Sequence, residues 1–207
     1  MYTGIVQACL PISHLEKQKG LYSFSIPFSK ELRRDLVTGA SVSINGVCFT
    51  VTGIKGNEVS FDAVKETLEL TNIKVVEVGT LVNIERSAKY NVEIGGHIMS
   101  GHVIGTAEVA NIEISPNNHR LALRCDSQWL KYVFVKGFLG INGASLTVAM
   151  LNREKSEIAV NLIPETLDRT NLGLLEPGNE VNIEIEGQTQ VIVDTVERLM
   201  AEVIQDA

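Results

Sequence analysis

A stretch of eight residues, Ile44-Asn45-Gly46-Val47-Cys48-Phe49-Thr50-Val51, returns almost unchanged as Ile141-Asn142-Gly143-Ala144-Ser145-Leu146-Thr147-Val148. Each copy reads as a tight Asn-Gly turn feeding an apolar, β-branched strand. Asn-Gly suits such a turn because both residues tolerate positive φ. Side chains at i and i+2 of a strand share a face, so Cys48 pairs with Thr50 and Ser145 with Thr147. At the first position of each pair the copies differ in one atom, sulfur in Cys48 and oxygen in Ser145.

The repeat extends along most of the chain. Thr3-Gly4 corresponds to Ser100-Gly101, and residues 29–39 correspond to 127–137, with Leu32 on Leu130 and Leu36 on Phe134. Both longer segments predict short helices with Ser29 or Ser127 at the N-cap and Gly39 or Gly137 at the left-handed C-terminal position. Lys65-Glu66-Thr67-Leu68 and Leu70-Thr71-Asn72 match Pro164-Glu165-Thr166-Leu167 and Arg169-Thr170-Asn171. Gly79 and Val82-Asn83-Ile84-Glu85 match Gly178 and Val181-Asn182-Ile183-Glu184. Matches in constant order, at a nearly constant offset, mean two copies of a domain of about ninety residues, not a solenoid of roughly 20–50-residue units. Within a copy the predicted strands (41–44, 49–54, 58–61 and 81–85 in the first) are short and bounded by turn residues. Six or so of them suggest a small closed barrel, which leaves no open sheet edge. The division expected is 1–97, 98–187 and a tail at 188–207.

The tail has no counterpart in the first copy. Between Gln188 and Gln205 there is no Gly or Pro, and Ile192, Val196, Leu199 and Val203 are spaced four, three and four, an a/d stripe. Val191, Val193, Met200 and Ile204 widen the apolar surface. Such a helix must pack on something, either a second subunit or its own barrel.

Composition narrows the function. The chain has 207 residues, 44% of them apolar, and a net charge of −7; this is ample for packed cores and argues against disorder. Its positive charges are scattered, without the concentrated basic surface that nucleic acid or an anionic membrane requires. Cys9, Cys48 and Cys125 match neither a disulfide framework nor a zinc-binding CxxC pattern, which fits a reducing compartment. The first residues lack the basic and long apolar regions of a signal peptide, and no run approaches the roughly 18 apolar residues of a membrane span. A soluble cytoplasmic protein is expected.

Two histidines stand in Gly95-Gly96-His97-Ile98-Met99-Ser100-Gly101-His102. Their spacing of five, interrupted by glycine, is not the i, i+4 pair of a zinc protease, and no acidic ligand stands nearby at a recognised spacing, so no metal is expected. One of them suits acid/base chemistry, because histidine titrates near neutrality. His102 stands where the first copy has Ile5, an exchange for which packing gives no reason. Cys48/Thr50 and Ser145/Thr147 could each aim two small polar groups at one ligand, although a free cysteine is more often a small core residue. No dinucleotide-binding, P-loop or nucleophile-elbow motif is present.

Taken in order, Met1-Tyr2-Thr3-Gly4-Ile5-Val6, Gly39-Ala40-Ser41-Val42 with the first octet, Gly95-Gly96-His97 with Ser100-Gly101-His102-Val103, and Gly143-Ala144-Ser145-Leu146-Thr147-Val148 resemble the riboflavin synthase family of the α-chain type. The resemblance covers essentially the whole chain. It implies an all-β fold of two tandem six-stranded Greek-key barrels and a C-terminal α-helix that assembles a homotrimer. It implies dismutation of two molecules of 6,7-dimethyl-8-ribityllumazine by transfer of a four-carbon unit, giving riboflavin and 5-amino-6-ribitylaminouracil, with no metal or organic cofactor. Lumazine synthase, which supplies the substrate, is the protein partner it suggests.

The resemblance also implies a division of the pocket residues. Gly4, Ile5 and Val6 would line one pocket with Ser41, Cys48, Phe49 and Thr50 and with Asp62, Ala63, Val64, Lys65, Glu66 and Thr67. Gly101, His102 and Val103 would line the other with Lys136, Ser145, Leu146 and Thr147 and with Asn161, Leu162, Ile163, Pro164, Glu165 and Thr166. The first barrel of one subunit would face the second barrel of another. Proton transfer at the acidic C7 methyl group would fall to His102 with Ser145 and Thr147, while Cys48 and Thr50 hold or activate the acceptor molecule. Tyr2 stands where the family usually has Phe, and Asn142 and Glu186 where many members carry Asp. Non-catalytic lumazine or flavin carriers share the double barrel but tend to lose polar residues from the second site. Here His102, Lys136, Ser145 and Thr147 are in place, which favours an enzyme. A purely structural double barrel leaves the Cys48/Ser145 symmetry unexplained.

Overall fold

A computed structural model describes residues 1–91, 93–116 and 118–205. The first copy runs β1 (Ala8–Pro11), β2 (His14–Gln18), β3 (Leu21–Pro27), α1 (Lys30–Arg33), β4 (Ser41–Ile44), β5 (Val47–Lys55), β6 (Glu58–Val64), α2 (Lys65–Leu70), a 3₁₀ turn at Asn72–Val75 and β7 (Leu81–Arg86). The second runs β8 (Gly105–Ser115), β9 (Asn118–Arg124), a 3₁₀ turn at Ser127–Tyr132, β10 (Phe138–Ile141), β11 (Ala144–Asn152), β12 (Glu157–Leu162), α3 (Pro164–Arg169), a 3₁₀ turn at Asn171–Leu174 and β13 (Glu180–Ile185). Helix α4 (Gly187–Gln205) follows.

In the second copy the strands close in the order β10-β11-β12-β9-β8-β13, all pairs antiparallel. The first copy has the equivalent order, β1-β7-β4-β5-β6-β3-β2, as an open sheet. The reason is local. The long strand β8 corresponds to β1 and β2 together, and the first copy breaks it at Ile12-Ser13. β1 ends at Pro11, the Ile12 N–H still donating to the Thr80 carbonyl at 3.0 Å; from Ser13, whose N–H donates to the Ser25 carbonyl at 2.9 Å, the chain pairs β2 with β3 instead. The six-stranded barrel is therefore closed in the second copy and interrupted at one strand in the first.

The helical segments are shorter than the sequence predicts. Ser29 caps α1 by accepting from the Leu32 N–H, but α1 is a single turn; in the second copy Asp126, not Ser127, is the cap, accepting from the Gln128 N–H. The left-handed residues after these turns are Asp35 and Lys136, at φ 59° and 71°. Gly39 is left-handed too, but it leads into β4 and donates its N–H to the Val51 carbonyl.

The two octets behave as the repeat requires. Asn45 and Gly46 have φ of 48° and 82°, and Asn142 and Gly143 of 45° and 80°, the signs of a type I′ hairpin turn. The two turn tips touch. A Cβ on Gly46 would lie 2.8 Å from the Gly143 nitrogen, and one on Gly143 2.7 Å from the Gly46 nitrogen. Around this contact Asn45, Asn72 and Asn83 meet their repeats Asn142, Asn171 and Asn182, all six buried. Asn83 Nδ2 donates to the Asn142 carbonyl at 2.9 Å, and Asn182 Nδ2 to the Asn45 carbonyl at 2.8 Å. The Asn72 N–H donates to Asn182 Oδ1 and the Asn171 N–H to Asn83 Oδ1, both at 2.7 Å. Burying amides is costly unless each is bonded; here the bonds come in pairs related by a near-twofold axis through the tips. Asn142 belongs to this seam, its Oδ1 accepting from the Asn182 N–H at 2.8 Å and from Asn72 Nδ2 at 3.0 Å.

Helix α4 does not lay its apolar face on its own barrel. Val191, Ile192, Val196, Leu199, Met200, Val203 and Ile204 are 48–72% exposed. Its ties to the barrel are polar: Lys131 meets Asp194 and Glu197, and the Tyr132 hydroxyl donates to Asp194 Oδ1 at 2.6 Å. Among the described residues no helix is long and apolar enough to cross a membrane.

Candidate active site

Alternation along β5 buries Val47, Phe49 and Val51 and turns Cys48 and Thr50 outward. Along β11 it buries Ala144, Leu146 and Val148, leaving Thr147 exposed and Ser145 half-buried. Ser41 stands opposite Thr50, and Phe138 opposite Thr147. The β5–β6 and β11–β12 registers, continued by one pair, put Asp62 beside Thr50 and Asn161 beside Thr147. Beyond them the exposed Val64, Lys65 and Glu66 in one copy repeat as Ile163, Pro164 and Glu165 in the other. Each barrel thus carries one small polar patch on its outer wall.

Across each patch lies an arm from the other copy. The Gly4 carbonyl accepts from the Ser145 N–H at 2.8 Å, and the Gly101 carbonyl accepts from the Cys48 N–H at 3.0 Å. The arms also pair with each other: the Tyr2 N–H donates to the Met99 carbonyl at 2.8 Å and the Met99 N–H to the Tyr2 carbonyl at 3.0 Å. A Cβ on Gly4 would come within 2.5 Å of Ser145 Cβ, and one on Gly101 within 2.7 Å of Cys48 Cβ, so the close approach requires glycine in both arms. Further along, Val6 packs in the core of the second barrel and Val103 against the core of the first.

Two buried carboxylates tether the arms. Glu85 accepts from the Thr3 N–H at 2.7 Å, the Thr3 hydroxyl at 2.8 Å and the Gly4 N–H at 3.0 Å. Glu184 accepts from the Ser100 N–H at 2.6 Å, the Ser100 hydroxyl at 2.8 Å and the Gly101 N–H at 3.2 Å. Burial pushes both carboxyl groups above the usual carboxylate range, and these hydrogen bonds offset part of the rise.

The pocket grouping expected from the sequence is therefore exchanged within the chain. Gly4, Ile5 and Val6 lie with Ser145 and Thr147, and Gly101, His102 and Val103 with Cys48 and Thr50. The repeat matches each arm to its own barrel by order alone, and only the tertiary fold reveals the crossing. Val6, Phe49, Ala63, Leu146 and Leu162 are buried, so these candidates offer the outer patches their backbone and not their side chains. Lys136 is exposed, its N–H donating to the Val148 carbonyl at 2.8 Å, which sets it beside Thr147.

Of the two histidines that suit acid/base chemistry, the one the structure brings to Ser145 is His97, which the expected pocket residues do not include. It is 6% exposed, its Nδ1 lies 2.7 Å from Ser145 Oγ, and its ring stacks on Phe138 at 5.2 Å between centroids. Burial holds the imidazole below its ordinary value, with Glu186 offsetting part of the effect, so it is neutral at pH 7 and can share the serine proton. Its Nε2 is buried without a hydrogen-bond partner among the described residues. A usable sequence signal was the asymmetry of the repeat at Phe138, an exposed aromatic where the first copy has Ser41. His102 is exposed on its arm beside the Cys48 patch and away from Ser145. Cys48 has a partner of its own, the Tyr2 hydroxyl, at 3.1 Å. Among the described residues no three His, Cys, Asp or Glu side chains gather as a metal site.

Comparison with known proteins agrees with this double architecture. The lumazine binding domain family matches residues 3–87 and again 100–186. Riboflavin synthase of Escherichia coli strain K12 is 49% identical over 202 residues, 97% of this chain and 94% of the relative. That of Buchnera aphidicola subsp. Schizaphis graminum is 43% identical, covering 97% and 96%. Among solved structures, LumP complexed with riboflavin superposes with a TM-score of 0.83 at 27% identity, over 90% of this chain and 100% of that one. LumP complexed with 6,7-dimethyl-8-(1'-D-ribityl) lumazine gives 0.79 at 28% identity, over 89% and 98%. Two matched repeats and end-to-end likeness to these relatives place the chain in the riboflavin synthase family of lumazine-binding proteins.

Proposed function

We propose that this chain brings two molecules of 6,7-dimethyl-8-ribityllumazine together and passes a four-carbon unit from one to the other, releasing riboflavin and 5-amino-6-ribitylaminouracil. The observation that carries this reading is the near-twofold pair of half-sites, each a strand patch of one copy crossed by the arm of the other. A reaction between two copies of one substrate needs two similar pockets that differ only where the roles differ. Here they differ at Cys48 with Tyr2 against Ser145 with His97, and at His102 against Ile5. Positioning alone is worth up to about 7–11 kcal/mol in such a bimolecular step.

Within one chain the Tyr2–Met99 bridge joins the two arms between the patches, which favours pairing the two ligands across subunits. Apposing the first half-site of one subunit to the second half-site of another sets Cys48, Thr50 and His102 opposite Ser145, Thr147 and His97. The exposed apolar face of α4 supports assembly as a homotrimer. In that apposed site Ser145 draws a proton from the C7 methyl group and passes its own to neutral His97, with Thr147 and the partner's His102 alongside. Cys48 and Thr50 hold the acceptor molecule. Residues 1–97 and 98–187 carry the two half-site barrels, and α4 (Gly187–Gln205) serves assembly. No metal or cofactor is required by this scheme. Three unpaired cysteines support a cytoplasmic location, and lumazine synthase, whose product would be consumed, is the expected partner.

Anaerobic incubation of the full chain with the lumazine should consume two equivalents for each flavin formed. Tight binding with no flavin would overturn the reading and favour a carrier, the behaviour suggested by the LumP complexes with riboflavin and with the lumazine.

A further inference from the structure

The exposed thiol of Cys48 sits on a buried hydrogen-bond donor. The Tyr2 hydroxyl donates to Sγ at 3.1 Å, and Tyr2 is 2% exposed. Its ring cannot swing away. The paired hydrogen bonds to Met99 pin its backbone, and Gly101 passes so close that a Cβ there would lie 2.9 Å from the ring carbon Cε2. Burial first, then the bond to Cys48 and the negative charges of Cys48, Glu85 and Glu184, push the phenol far above its ordinary value. It therefore keeps its proton at any working pH and acts on the sulfur as a donor. A sulfur that accepts from below is left with its own S–H turned toward the outer patch. The second half-site has no such device: the arm residue equivalent to Tyr2 is Met99, and Ser145 is paired with His97 instead.

We propose that Tyr2 is a positioning residue of the Cys48 half-site, whose hydroxyl holds Sγ as an acceptor and so fixes the sulfur with its S–H toward the bound ligand. The identity of that ligand rests on the function proposed above; the effect of the hydroxyl on Cys48 does not. The charged and titratable groups facing the pair are Glu85 and Glu184, which tether the two arms, and His102, next to Gly101 and close enough to Glu184 to act on its charge. All three are unchanged when only the hydroxyl is removed.

The test uses the full chain and Tyr2→Phe, which keeps the ring. Alkylation of Cys48 by iodoacetamide at neutral pH is followed by the mass of the peptide that carries it. In Tyr2→Phe the rate should fall severalfold, because the sulfur is no longer held facing the outer patch. Turnover should fall severalfold with little change in half-saturation. Equal alkylation rates would overturn the proposal. To separate an effect through Cys48 from one on the fold, Tyr2→Phe is repeated in a Cys48→Ala background. There the loss of turnover should shrink to near nothing, and an equal loss in both backgrounds would also overturn it. A slowed alkylation of Cys48 in a chain that makes no flavin would leave this inference standing and remove the proposed reaction.

Discussion

At the scale of single residues, the chemistry rests on which groups the fold presses against Cys48 and Ser145. Both positions were legible, because a repeat that keeps a small polar side chain two residues before a threonine marks an outward-facing pair. Their partners were not. His97 reaches Ser145 from 48 residues away and Tyr2 reaches Cys48 from 46, and no local pattern encodes contacts of that range. His97→Phe should lower turnover by about 10²–10⁴-fold, the usual worth of a positioned acid/base group, with a much smaller effect on ligand binding. The pH dependence has a definite sign. Because burial lowers the His97 pKa on folding, the unfolded chain binds this proton first as pH falls below about 6.5. Native stability is therefore lost from about that pH downward, toward the lower folded value, and is unaffected above it. Melting curves of the wild type should drop more steeply on mild acidification than those of His97→Phe; parallel curves would contradict the assignment.

Among the elements, the hairpins of the octets and the strands around them follow from turn chemistry and alternation, and the sequence predicts them closely. The a/d spacing likewise predicts α4, and the structure leaves its apolar face off its own barrel. The crossed arms were hidden because Thr3-Gly4 and Ser100-Gly101 align with each other whichever barrel each one crosses. The break between β1 and β2 is an exchange of partners, from Thr80 at Ile12 to Ser25 at Ser13, which a pattern of apolar residues does not mark. Helix α4 leaves seven large apolar side chains uncovered and touches its barrel mainly through Lys131 and Tyr132. Deleting residues 197–207 should give a monomer by sedimentation, with a melting temperature close to that of the full chain and turnover reduced by at least about a hundredfold, because the second ligand is no longer positioned. A monomer of full activity would refute the intersubunit site.

For the whole molecule, two barrels become one body through the asparagine seam. The six residues are visible in the sequence as repeated asparagines, yet nothing local says that they are buried together; asparagine in a turn is usually a turn residue and nothing more. Asn83→Leu would strand the Asn171 N–H and the Asn142 carbonyl, both bonded to the Asn83 side chain. It should cost roughly 2–6 kcal/mol in urea unfolding, at about 1–3 kcal/mol for each buried group left unpaired. An unchanged midpoint would show that the seam contributes little. The same near-twofold axis relates the two proposed half-sites, each of them built from both copies. A non-reacting, isotope-labelled lumazine analogue bound to the full chain should give two signals by NMR. Ile5→Ala and Ser145→Ala should move one of them, and His102→Gln and Cys48→Ala the other; if Ile5→Ala instead moves the signal that Cys48→Ala moves, the crossed half-sites are wrong.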